Sequence, residues 1–145
     1  SSFSGIRYIS FQLQALNMGR IEKPWGYEDQ VLMTQVDVGE KQGMLGIRRL
    51  VINGEEMTSY CYHEEQADII YLEEGTVTLR KNGEMEELEQ GNAKIVRSGE
   101  KHQLQNIGDD VAKILEISFP YKPDDRQRIE DPYNSERDSE NKGEQ

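Results

Sequence analysis

The chain has 145 residues, 34% of them apolar and 8% aromatic, which is one domain by length and enough to bury a core. Its 28 acidic and 17 basic residues leave a net charge of −11, which argues against a binder of nucleic-acid backbone, since that needs a basic face. A lone cysteine rules out an intrachain disulfide and no apolar run reaches bilayer-spanning length, so a soluble, cytoplasmic protein without membrane or nucleic-acid partners is expected.

Residues 1–19 read as an N-terminal extension. Phe3, Ile6, Ile9, Leu13 and Leu16 recur at helical spacing, which suits a short amphipathic helix, although Met18 is an equally good natural start. Polar residues interrupt every candidate apolar core of a secretory signal there. From Arg20 the pattern becomes short strands and turns. "QVLMTQVDV" and "MLGIRRLVI" come first, the latter ending at Asn53-Gly54. "MTSYCYH", "ADIIYLEEGTVTLR", the turn Asn82-Gly83, "EMEELEQG", "AKIVRSG", "HQLQNIG" and "VAKILEISF" follow. Strands at intervals of about 8–12 residues with Gly-rich turns predict an all-β fold, an antiparallel sandwich or barrel, over residues 20–134. Residues 135–145 read as a charged, mobile tail.

Chemistry concentrates in "YCYHEEQADIIYLEEG". Side chains two apart on a strand share a face, so Cys61 and His63 project together, away from Tyr60 and Tyr62. A hairpin through the turn "EEQA" would bring Asp68 opposite them on the returning strand, and His102 opens a later strand. Thiolate, imidazole and carboxylate are the ligands of Zn, Fe or Mn, so Cys61, His63, Asp68 and His102 are candidate ligands of a divalent ion. By spacing alone they are equally a scatter of half-exposed polar residues.

The spacing continues further. His63, Asp68 and Gly75, then Gly91, Arg97, Gly99, His102 and Asn106, resemble the two motifs of the cupin superfamily. Cys61 stands at the first histidine, Asp68 at the glutamate and Arg97 at the proline. That resemblance implies a double-sheet antiparallel jelly-roll barrel with a metal in its mouth. The flanks "KPWGYE", "RRLVINGEE" and "DDRQRIEDPYN" are similar to the cupin domain of type II mannose-6-phosphate isomerases, the C-terminal domain of mannose-1-phosphate guanylyltransferases. Ser59, His63, His102, Asn106, Asp124, Asp125, Arg128, Asp131 and Tyr133 match that subfamily, whereas Gln66 stands at its arginine and Ile70 at its tryptophan.

The resemblance implies a sugar or sugar phosphate as small-molecule partner. Aldose–ketose isomerisation needs a polarised carbonyl, a base and cations for phosphate. Lys101 and Arg128 are the candidate catalytic cations. Arg49 is read as a surface ion pair and Trp25 as a barrel plug. Two other readings stand beside the isomerase. One is a sugar-binding cupin without that catalysis. The other is an iron oxygenase built on His63, Asp68 and His102. Exposed edge strands suit a homodimer.

Overall fold

The computed structural model describes residues 19–133. Both the helix expected within residues 1–17 and the tail expected from residue 135 lie outside the described residues. Alternation builds the framework. The strand β10 (Ala112–Phe119) buries every second residue, and its inward row is Ala112, Ile114, Glu116 and Ser118. It runs between β3 (Lys41–Ile52) and β5 (Ala67–Glu74), with Ile114 opposite Leu50 and Leu72, and Ser118 opposite Gly46 and Asp68. Outside these lie β1 (Arg20–Lys23) and β2 (Gly26–Val38) on one side and β8 (Ala93–Val96) on the other, in the order β1-β2-β3-β10-β5-β8. The second sheet is β11 (Arg126–Glu130), β4 (Tyr60–His63), β9 (His102–Asn106), β6 (Val77–Lys81) and β7 (Glu84–Leu88), in that order. All pairings are antiparallel, which is the expected double-sheet jelly roll.

The β6–β7 hairpin turns on Asn82-Gly83, both at positive φ, as that pair requires. Asn53-Gly54 instead opens a loop, and Gly54 lies so close to the Asp109 carbonyl that a Cβ would come within 2.1 Å of its oxygen. One expectation fails, and one strand is added. The segment after β4 is no hairpin, because β4 and β5 belong to different sheets. The link 64–66 therefore crosses the barrel, and Asp68 faces Cys61 and His63 from the opposite wall. The charged stretch after Pro123 also carries a strand, β11, pairing with β4. Among the described residues, no helix is long and apolar enough to cross a membrane.

The interior rows change character along the barrel. At one end Ile52, Leu72, Val77, Leu79, Leu88 and Ile114 pack with at most 1% exposure. At the other end, along the same strands, the buried residues are Glu28, Arg48, Asp68, Glu116 and Ser118. Buried charge is costly unless it is paired or used, so the polar end is the place to look for function.

Candidate metal centre

Two short strands present the donor atoms. Cys61 and His63 share the inner face of β4, and His102, the first residue of β9, lies opposite Cys61 in register. All three are buried, and one ligand atom from each lies within 4.8 Å of the others. The imidazole centroids are 5.2 Å apart. Asp68 reaches in from β5, with Oδ2 3.5 Å from His63 Nε2 and 3.8 Å from His102 Nε2. Its other oxygen, Oδ1, accepts hydrogen bonds from Ser118 Oγ at 2.6 Å and Gln66 Nε2 at 2.9 Å. Of the four residues expected from the sequence, Cys61, His63 and His102 form one tight cluster, and Asp68 lies beside the two histidines.

The donor set fits a divalent transition ion. Bonds of about 2.0–2.3 Å put tetrahedral ligand atoms about 3.3–3.8 Å apart, close to the Asp68–histidine separations. Asp68 Oδ2 is buried without a hydrogen-bond partner, an arrangement that an electron-pair acceptor would relieve. His102 Nδ1 lies 3.0 Å from the Glu100 carbonyl oxygen, and donating to it leaves Nε2 as the inward lone pair. Two nitrogens, a sulfur and a carboxylate suit Zn or Fe better than Mg or Ca.

The two imidazoles are electrostatically unlike. Burial, with the charges of His102 and Arg126, pushes His63 down to about 4. Burial also acts to lower His102, but the hydrogen bond to Cys61 and its charge outweigh that and push His102 up to about 9.

Beside the histidines lies a buried ion network that the sequence reading missed. Arg48 Nη1 is 3.3 Å from Glu28 Oε1, and Nη2 is 3.2 Å from Glu116 Oε2 and 3.3 Å from Ser118 Oγ. Burial raises the pKa of the Glu116 carboxyl, against the pull of Arg48. A signal was available in "VAKILEISF", where Glu116 and Ser118 occupy the inward phase of an otherwise apolar alternation. Arg48 lies in the inward phase of β3 in the same way.

A chamber of about 40 Å³, lined by Cys61, His63, His102, Glu116, Arg48 and Trp25, has room for an ion and one or two waters. A larger basin of about 380 Å³ shares Lys23, Glu28, Arg48, His63 and Arg126 with it and adds Arg128 and Tyr121. Lys101 lines neither. It is exposed, and its backbone N–H and carbonyl are both bonded to Asn82 in the neighbouring turn. Arg128 is exposed on β11, opposite Cys61, and reaches the basin. Trp25 is 5% exposed within the core, as expected of a plug, and Arg49 pairs with Glu73 at 2.8 Å on the outer face. Gln66, at the position of the subfamily's arginine, is 2% exposed. Its amide serves Asp68 and Ser118, and its carbonyl oxygen accepts from the Lys122 N–H.

A family model for the cupin domain matches residues 49–118. The tetracenomycin polyketide synthase protein TcmJ of Streptomyces glaucescens is 34% identical over 98 residues, 68% of this chain and 64% of that protein. The polyketide synthase CurC of Streptomyces cyaneus is 26% identical over 98 residues, 68% of this chain and 62% of its own length. The match therefore spans just under two thirds of each of these relatives. Among solved structures, a sugar phosphate isomerase from a cupin superfamily of Silicibacter pomeroyi superposes with a TM-score of 0.58 at 16% identity, over 75% of this chain and 74% of that one, a likeness of fold.

Proposed function

With a cupin domain at residues 49–118 as the premise, we propose that this protein is a metal-dependent enzyme that moves a proton next to a carbonyl group of a small, oxygen-rich substrate. The observation that carries this reading is the meeting, in one chamber, of the ligand cluster Cys61, His63 and His102 with the buried carboxylate Glu116. Cys61, His63 and His102 would hold a divalent ion, which would supply Lewis acidity towards a carbonyl. Asp68 is the fourth group available to it, set in place by Ser118 and Gln66. Glu116 takes and returns the proton, since burial brings its carboxyl nearer the working pH, where general bases act best. Arg48 fixes the position of Glu116 and of Glu28, which lie on the two strands flanking its own.

Two substrate classes require this step. The polyketide-synthase names of TcmJ and CurC favour a polyketide-type chain, whose alternating carbonyls make the intervening CH₂ protons acidic. A sugar phosphate, converted between aldose and ketose, is the second reading. The flanking motifs around Lys23 and Asp124, and cations at the mouth such as Arg126, favour it. Both reactions open with the same proton abstraction.

The test is solvent-deuterium incorporation at C2 of mannose 6-phosphate, read by NMR, alongside aromatic product formation from a linear tetraketide acid, read by absorbance. Metal-dependent turnover of one of them is expected. Glu116→Gln should keep the metal and lose about 10²–10⁴-fold in rate. Absence of metal-dependent chemistry on both substrates would leave a binding module in place of an enzyme.

A further inference from the structure

The register of β11 on β4 decides what surrounds the mouth. Arg126 lies opposite His63, and Arg128 opposite Cys61. Directly opposed residues of an antiparallel pair project to the same face, so this edge strand carries two guanidinium groups on the face that bears the candidate ligands. The basin beside the chamber is lined by Lys23, Arg48, Arg126 and Arg128 against one carboxylate, Glu28, on a chain whose net charge is −11. Local positive charge there runs against the whole molecule.

Two of these groups have unused hydrogen-bonding capacity. Arg48 is 3% exposed and Arg126 is half-buried. The Nε of each is shut off from solvent without a hydrogen-bond partner among the described residues. A buried donor left unsatisfied is costly, so a guanidinium kept in that state is suited to an acceptor that arrives from outside. Arg48 is already balanced by Glu28 and Glu116, which leaves Arg126 as the guanidinium for an incoming anion.

We propose that the basin is a docking site for the acidic head of a small-molecule ligand, a phosphate or a carboxylate, held chiefly by Arg126 with Lys23 and Arg128 beside it. A basin of about 380 Å³ is of the size that takes a small organic molecule. It adjoins the chamber through the His63 and Arg48 walls, so a head anchored on Arg126 points the body of the ligand at the candidate metal centre. This deepens the proton-transfer reading by giving its substrate an acidic head, and rests on that reading only for what happens at the other end.

The test uses binding alone. Phenyl phosphate, benzoate and phenol share one ring and differ in their head group, and each is titrated by NMR into zinc-loaded and chelator-treated protein. At least one of the two anions should bind at least tenfold more tightly than phenol with or without zinc, and the tighter anion identifies the source of the head. Arg126→Gln should weaken that anion at least tenfold with unchanged zinc content and melting temperature. Arg126→Lys, which keeps the charge but loses the fork, should weaken it less. Arg97→Gln, an exposed arginine outside the basin, should change nothing. Equal binding of all three probes, no binding of any, equal losses in the Arg126 and Arg97 variants, or binding that vanishes with zinc would each overturn the docking site. None of these results bears on whether Glu116 moves a proton.

Discussion

Gln66 shows how one side chain can change the meaning of a motif. Its amide fills a fully buried slot and makes three contacts, so an arginine there would have to displace Ser118 or Asp68. We expect Gln66→Arg to lower unfolding free energy by about 1–3 kcal/mol through overpacking and the lost Lys122 bond, without adding a contact to substrate. Denaturant midpoints measure the first and the deuterium assay the second. His102 yields a pH prediction. Its raised value means that the folded protein favours the protonated ring, and a metal must displace that proton from Nε2. Below about pH 9, zinc affinity should therefore rise at least tenfold per pH unit, and a chromophoric chelator in competition would reveal a flat profile if this is wrong. Cys61→Gln should fold but hold zinc more weakly, with metal content after dialysis as the readout. The cluster of Cys61, His63 and His102 was legible because thiol and imidazole advertise themselves by type and spacing. Glu116 and Arg48 were not, because a charged residue on a strand reads as solvent-facing until the phase of the alternation is followed through.

At the scale of elements, the link between β4 and β5 is held from outside. Asp125 accepts hydrogen bonds from the backbone N–H groups of Glu64, Glu65 and Gln66, at 3.0, 2.8 and 2.9 Å, and these bonds hold its carboxyl below the usual range against the cost of partial burial. The three-residue crossing between sheets is thereby fixed with His63 at one end and Asp68 at the other. Asp125→Ala should cost about 1–2 kcal/mol and speed amide hydrogen exchange at residues 64–66 more than elsewhere, and uniform exchange would argue against a clip. The strands β2 to β10 were readable from alternation and Gly-rich turns. β1 and β11 were not, because "RIEK" and "RQRIE" are mostly exposed edge strands with no buried face to impose a period. The crossing was misread as a hairpin because a tight turn and a sheet-to-sheet link of equal length have the same composition.

The whole molecule divides its interior by length, apolar at one end and ionic at the other, and the strands run continuously through both. Asn106 closes the apolar end. Its Nδ2 donates to the carbonyls of Ile52, Asn53 and Asp110, and its Oδ1 accepts from Gly108 N–H, so one side chain ties the two sheets and a loop together. His102 starts the same strand at the other end. Asn106→Ala should remove about 2–4 kcal/mol of stability while leaving the zinc affinity of the folded protein unchanged. A parallel fall in both would mean that the two ends are not independent. The motif asparagine is thus legible in the sequence, and its work is architectural.

The strand β11 also imposes an order in time. The pairs β2–β3 and β6–β7 join neighbours in the chain and can form as soon as they are synthesised. β4, however, is four residues long, meets β9 at the Cys61–His102 pair, and has its longer partner in β11, which is translated after every other described strand. A nascent chain halted before Arg126 would hold all of Cys61, His63, Asp68 and His102 on a scaffold with one wall open. On the ribosome, the barrel mouth is the part that matures last.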